Sequence, residues 1–457
     1  MKKNRIAKAA VTAALLSAAC VPAAHAQSAA SNAGDLQALK AQLEALQQKV
    51  TDLEAQQKAA EAQQKAATEV QEKTLDQVAQ QRANVGDWVG RFQWKGDFRY
   101  RNETIDQEFV HSSRNRDRIR ARFGFFARVN DTLRVEMQAT TGERLSGGTN
   151  GDARSSNQTL TDSNSRKDIY LDTAYAEWQP NASNKVTLGK MRYPWVRPTG
   201  SLFYDGDINP EGLAYNWQQG TNGLFAGAWY IRLTERGANA DSNMAGAQIG
   251  WRNDIASGVR LTLAASYNDH SGVQGYNAVQ DNNVAQNAFG NSTTASTAIC
   301  RPGIATCVAS DFDIAEASAE LVFASVGGYP LSFMADYAKN TAEDVVGTGE
   351  GLDTAYTAGV QWGRVANAHS WEVGALYEKL ENNALYAQWI DSDFAGGVSG
   401  SNGWVLKAGY GFGRNFRLNT TYFFNDTNID LPTTITGVGP VTGRKYRRLQ
   451  VDINMTF

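Results

Sequence analysis

From Phe92 onward, apolar and polar residues alternate with a period of two. Phe92, Trp94, Phe98 and Tyr100 interleave with Gln93, Lys95, Asp97, Arg99 and Arg101. That period sends the two sets to opposite faces of a β-strand. Sixteen such segments can be read, near 92–103, 114–129, 132–143, 167–179, 184–192, 211–219, 222–233, 243–252, 256–269, 312–325, 328–338, 352–364, 369–380, 402–412, 415–425 and 444–457. Their connections sort by parity. Short turns (Asn130-Asp131, Pro180 to Ser183, Gly220-Thr221, Gly413-Arg414) alternate with long polar loops at 104–113, 144–166, 193–210, 270–311, 381–401 and 426–443. A soluble sandwich has no reason to segregate loop length this way, whereas a transmembrane barrel has tight turns at one end and long loops at the other. The expected fold is an all-β transmembrane barrel of about 16 antiparallel strands, preceded by an α-helical coiled coil.

The coiled coil follows from a change of period. Leu36, Leu39, Leu43, Leu46, Val50 and Leu53 are spaced alternately by three and four, an a/d seam. The seam continues more weakly through Gln57, Ala60, Gln64 and Ala67. A helix from about Leu36 to Gln81 would span roughly 70 Å at 1.5 Å per residue. Its leucines need a partner, so self-association is expected, with the strand number open. Gly86, Asp87 and Trp88 read as a hinge. The expected domains are a removed signal peptide at 1–26, a coiled-coil oligomerisation segment and hinge at 27–85, and the barrel at 86–457.

The first residues place the chain in a compartment. Lys2, Lys3, Arg5 and Lys8 precede an apolar run from Ala9 to Val21, and Ala24-His25-Ala26 fits a cleavage site before Gln27. Leu16-Ser17-Ala18-Ala19-Cys20 competes as a lipobox, but Ser17 is a poor residue for it; ordinary export is favoured. Cleavage deletes four positive charges and no acids, moving the formal net charge from −3 to −7. An acidic chain is a poor non-specific nucleic-acid binder, and no nucleic-acid partner is expected. Cys300 and Cys307 then remain, and an oxidising compartment favours a local disulfide over a metal site in a neighbourhood without histidine. Mean hydropathy is −0.44, and no run after Val21 approaches the ~20 apolar residues of a membrane helix.

Within this pattern one strand carries unusual chemistry. Arg114, Arg116, Arg118, Arg120 and Arg122 occupy every second position, opposite Ile119, Ala121, Phe123 and Phe125. So many like charges must face water or anions. A barrel of this size has a wet lumen, so Arg118, Arg120 and Arg122, with Arg99, Arg101 and Arg134 in the same register, are expected to line a pore and raise the local anion concentration. Arg114 and Arg116 can instead sit in the rim. His111, His270 and His369 are scattered, and the Gly409-x-Gly411-x-Gly413 run lacks a following helix. No catalytic or metal site is expected, no cofactor, and no enzyme activity.

The last strand alternates Leu449, Val451, Ile453, Met455 and Phe457 with Gln450, Asp452, Asn454 and Thr456. A terminal amphipathic strand ending in Phe resembles the assembly signal of Gram-negative outer-membrane barrels, so Phe457 is expected to be read by the barrel assembly machinery. The segment Tyr193-Pro194-Trp195-Val196-Arg197-Pro198, continuing to Asp205-Gly206-Asp207, resembles the inward constriction loop of trimeric general porins. With the heptads, Asp97-Phe98-Arg99-Tyr100-Arg101 and Leu188-Gly189-Lys190, residues 36–457 resemble Gram-negative porins of the "putative porin" type bearing an N-terminal coiled coil. The resemblance implies a homotrimer among outer-membrane lipids, with its coil in the periplasm. It implies passive diffusion of small hydrophilic solutes, and the arginines lean this towards anions. Arg192, Arg197, Asp205 and Asp207 would belong to the constriction loop, with the aspartates facing the arginine wall; an ordinary external loop is the competing reading. The alternatives are a solute-specific channel for phosphate, a dicarboxylate or a sugar, with the aromatic residues of 193–204 as a sugar slide, and, less favoured, a barrel-anchored envelope tether.

Overall fold

A computed structural model describes residues 32–457, apart from 111, 145–149, 238, 282–283, 286–287, 343–350, 431–432 and 436–438. The signal peptide, its cleavage site and the lipobox lie outside the described residues. Two compact units divide after Gly86.

The first unit is helical. The helix α1, Asn32–Gly90, is 59 residues long, which at 1.5 Å per residue gives a rod of roughly 90 Å. It runs unbroken through Gly86, Asp87 and Trp88, so the expected hinge is a continuation of the helix. Leu43, Leu46, Val50 and Leu53 are each more than half exposed on the single chain. Among the described residues, no helix is long and apolar enough to cross a membrane.

The second unit is a closed antiparallel sheet. Its strands are β1 (Phe92–Gln107), β2 (Arg114–Arg128), β3 (Leu133–Thr141), β4 (Ile169–Asn181), β5 (Asn184–Lys190), β6 (Glu211–Gln218), β7 (Gly223–Thr234) and β8 (Ser242–Ala256). They continue as β9 (Val259–Ser271), β10 (Phe312–Val326), β11 (Tyr329–Asn340), β12 (Thr354–Gly363), β13 (Trp371–Leu380), β14 (Ser401–Gly413), β15 (Phe416–Thr427) and β16 (Arg444–Thr456). Each pairs with its sequence neighbour, and β1 pairs with β16 from Asp97↔Thr456 to Gln107↔Tyr446. All sixteen expected strands are present, and the ring has no free edge. At the seam, Gly96 and Phe457 exchange both backbone hydrogen bonds, at 2.9 and 3.0 Å. A Cβ on residue 96 would meet the Phe457 ring and the Arg122 carbonyl, so a side chain there would have to displace the ring.

Burial is inverted relative to a soluble protein. Tyr100, Phe123, Leu188, Leu213, Ile249, Leu263, Phe333, Leu406 and Ile453 are exposed on strands whose buried positions include Arg118, Gln138, Thr187, Asn268 and Asp336. A surface this oily around a polar interior fits a bilayer outside and water or polar protein inside. Aromatic rings gather at the short-turn end, where Phe92, Trp94, Phe123 and Phe125 pack in stacked and edge-on contacts, and Tyr329 and Trp362 pack tilted and edge-on against Trp371. Such girdles sit at the membrane–water boundary.

The interior also holds a dry core. Phe203, Leu385, Ile390 and Phe394, from the connections after β5 and β13, bury themselves against Ile314, Leu376, Val405 and Phe423 on β10, β13, β14 and β15. The long connections therefore fold inwards as well as outwards. The connection after β9 carries the Cys300–Cys307 disulfide, with Cα atoms 5.5 Å apart.

Candidate functional site

The register of β1 and β2 sets Arg99 opposite Arg120, Arg101 opposite Arg118, and Glu103 opposite Arg116. Like charges directly across a ladder repel, so the arrangement holds only if carboxylates are interleaved. They are. Glu103, fully buried, pairs with Arg116 and accepts from Arg448 of β16 at 2.6 Å, with Arg118 3.9 Å away. Asp452 of β16 receives a two-pronged guanidinium contact from Arg101 at 2.7 and 2.8 Å, the strong planar geometry of an Arg–carboxylate pair. Arg99 donates to Asn454 at 3.1 Å, and Asp97 pairs with Arg120 at 2.7 Å.

Two carboxylates reach this wall from connections, each through the same local device. In Asp205-Gly206-Asp207, the first carboxylate accepts the backbone N–H two residues on at 2.8 Å. In Asp391-Ser392-Asp393 the equivalent bond is 2.9 Å. These Asx turns fix the backbone and aim the second aspartate outwards. Asp207 meets Arg122 at 2.5 Å and Arg120 at 4.0 Å. Asp393 meets Arg101 at 3.0 Å and Arg448 at 2.7 Å. The first aspartates tie the two segments together, since Asp205 accepts from the Ser392 N–H at 2.8 Å and donates its own N–H to the Trp389 carbonyl at 2.8 Å.

The same connection after β5 also reaches the opposite side. Tyr204 donates to Glu316 on β10 at 2.8 Å, Ser201 to Asp336 on β11 at 2.9 Å, and the Val196 N–H to Gln248 on β8 at 2.8 Å. In a ring of sixteen, β2 and β10 are eight strands apart, so residues 191–210 cross from wall to wall. A third segment joins from the connection after β3: the Ser156 N–H and O–H both donate to Asp207 at 2.9 Å, and Arg154 donates to the Gly397 carbonyl at 2.9 Å.

Charge state follows from these partners. Burial pushes the Asp207 carboxyl up, but Arg122 and Arg120 outweigh it and bring the pKa down to about 2. Asp393 is held low in the same way by Arg448 and Arg101. Asp391 is raised to about 6 by burial and then by the Asp393 charge, and Asp205 is raised by burial, Asp391 and Asp207. Each turn thus pairs an aspartate that stays ionised with one that resists ionisation.

Several expected residues sit elsewhere. Arg134 pairs with Glu177 at 2.7 Å near the short-turn end, away from the arginine ladder, and Arg192 with Glu136 at 3.0 Å. Arg197 donates to the Tyr204 carbonyl at 2.8 Å and stacks on Tyr193, stapling its own segment. Asp205 makes no ion pair with the ladder among the described residues, whereas Asp207 contacts Arg122 and Arg120. Trp195, Phe203 and Tyr204 are buried, with Trp195 packed on Trp229 and Trp389, so they form no exposed sugar slide. Arg114 is exposed, whereas Arg116 belongs to the buried pairs. Glu103, Asp393 and Arg448 escaped the sequence reading. The repeated Asp-x-Asp and the polar face of the last strand, one step further back at Arg448, were the available signals. Among the described residues no group of three or more His, Cys, Asp or Glu is placed to hold a metal ion.

The model of a family described as "Putative porin" matches residues 106–307 and 282–457. No curated protein sequence matches the chain. Among solved structures, OprB of Pseudomonas putida is similar in fold: TM-score 0.51, 10% identity, covering 81% of this chain and 96% of that one. OmpF of Salmonella typhi matches with TM-score 0.46 and 12% identity over 80% of this chain and 97% of that one. OmpT of Vibrio cholerae, an outer membrane protein in trimer form, matches with TM-score 0.42 and 14% identity over 80% and 99%.

Proposed function

The chain belongs to the "Putative porin" family, and on that premise we propose that it passes small hydrophilic solutes by passive diffusion, with a modest preference for anions. It is an outer-membrane barrel of channel type; in this reading it is not an enzyme. The observation that carries the proposal is the meeting of Asp207 with Arg122 and Arg120, because the segment bearing Asp207 is also anchored on the opposite wall. An inward segment so placed narrows the lumen, and opposed charges across a narrow gap set up a transverse field that favours hydrated, dipolar solutes.

The preference for anions is modest because the wall arginines are matched by carboxylates from β1, β16 and the inward segments. They act less as bare positive charge than as one plate of a charged gap. A homotrimer, with α1 associating through Leu43, Leu46, Val50 and Leu53 in the periplasm, belongs to the same proposal, as do removal of residues 1–26 and reading of Phe457 by the assembly machinery. The exposed leucines on the single chain support association.

Reversal potential across a planar bilayer in a salt gradient tests the reading. Anion preference should fall when Arg118, Arg120 and Arg122 are all changed to glutamine. Cation preference in the wild type, untouched by that change, overturns it.

A further inference from the structure

On the short-turn side of the inward segment lies a cavity of about 520 Å³, in the size range of small-molecule sites. Its charges are unequal: Arg134, Lys185, Arg192 and Arg252 line it against Glu136 and Glu177. Both acids are already engaged. Glu136 accepts from Lys95 at 2.6 Å, from Arg192 at 3.0 Å and from the Tyr175 hydroxyl at 2.7 Å. Glu177 holds Arg134 at 2.7 Å and Lys185 at 3.5 Å.

Arg252 is the cation left over. It makes no ion pair among the described residues; its Nε donates to the Thr262 hydroxyl at 3.3 Å, and its guanidinium sits 5.4 Å from the centroid of the Phe225 ring. That ring also lines the cavity, as does Phe126. A planar fork without a carboxylate, beside an aromatic surface, in a chamber with excess positive charge, matches a solute with a carboxylate at one end and a flat apolar body.

Resting on the channel reading, we infer that this cavity is a solute subsite for small organic carboxylates with an aromatic or flat apolar body. The carboxylate sits on Arg252 and the body against Phe225. The subsite lies on the short-turn side of the narrowing, so a solute that has passed Asp207 is held before release.

The test is block of single-channel current by benzoate, added on both sides of a bilayer containing the full-length protein. Saturable block is expected, with acetate and inorganic phosphate much weaker. Arg252→Gln should raise the half-blocking concentration at least tenfold, and Phe225→Leu several-fold. Arg260→Gln, which alters an exposed arginine paired with Asp254 at 2.9 Å, should leave it unchanged. Should R252Q yield no channels, R252K, which keeps the charge and loses the fork, is expected to weaken block several-fold and decides in its place. No saturable block, equal block by acetate or phosphate, or an equal loss in R260Q overturns the subsite. The two readings fail separately: a cation-selective wild type with Arg252-dependent block rejects the anion preference alone, and an anion-selective channel without benzoate block rejects the subsite alone.

Discussion

The inner wall made by β1, β2 and β16 and the wall made by β10 to β15 hold the same two segments by opposite chemistry. On the first, Asp207 and Asp393 dock on arginines. On the second, Phe203, Leu385, Ile390 and Phe394 dock in a dry core, with the Tyr204–Glu316 and Ser201–Asp336 hydrogen bonds beside it. Apolar docking excludes water and gains free energy from every buried methylene. Ionic docking in a wet lumen is nearly balanced by desolvation and weakens with salt. The oily side therefore fixes where the segments stand, and the ionic side is where water and solutes can compete for partners.

The largest effect should come from loosening the oily anchor. Phe394 is 1% exposed, and removing such a ring by Phe394→Ala costs about 3–5 kcal/mol, enough to release the second segment. Single-channel conductance should rise at least twofold and become noisy; an unchanged trace would show that the apolar wall does not hold the segment. Next comes the ionic anchor. Asp207→Asn leaves Arg122 and Arg120 short of a carboxylate, so the reversal potential should move towards anions by a few-fold in permeability ratio, while conductance changes little. A shift towards cations would invert the comparison.

A smaller, pH-dependent effect separates the paired aspartates. Asp391 is raised to about 6 by burial and Asp393. Its raised value means that the docked segment disfavours the ionised form. Docking should therefore strengthen as pH falls through about 6, with the gain complete below the ordinary value of 3.8. Asp207, lowered to about 2 by its arginines despite burial, stays ionised across that window; its stabilising contribution is present above the ordinary value and is lost as pH falls through about 2. Current noise should drop between pH 7.5 and 5, and Asp391→Asn should flatten the part centred near pH 6; noise that grows on acidification contradicts the assignment. The smallest contrast lies along β2 itself. Arg116→Gln should alter selectivity measurably because it strips Glu103 of a partner, and Arg114→Gln, at the exposed end, should leave the reversal potential where it was.

The strands were legible because each carries its own record. Alternation such as Leu449 to Phe457 against Gln450 to Thr456 is local, and a two-residue period needs no knowledge of the partner. Loop parity extended that to closure. The direction of the loops was not legible in the same way. Residues 381–400 mix Leu385, Trp389, Ile390 and Phe394 with polar neighbours, and what turns them inwards is the packing of Ile390 and Phe394 in one core with Val405 and Phe423, which no local pattern announces. The arginine ladder was visible as a pattern, but its meaning depended on Glu103, Asp393 and Asp452, whose proximity is set by strand register and ring closure. Sequence shows which side of a strand is charged. It does not show which charges will be neighbours.

Closure through Gly96 and Phe457 carries a consequence for how the protein is made. The first strand waits for β16: β1 can pair with β2 as soon as both exist, but its other edge stays open until residues 446–456 have arrived. An open strand edge is a template for any passing strand, and contacts across some 350 residues form late. The interval between release of β1 and arrival of β16 is thus the period of greatest vulnerability for this chain. A truncation that removed β16 would prolong it indefinitely, leaving a sheet with β1 unpaired along its outer edge.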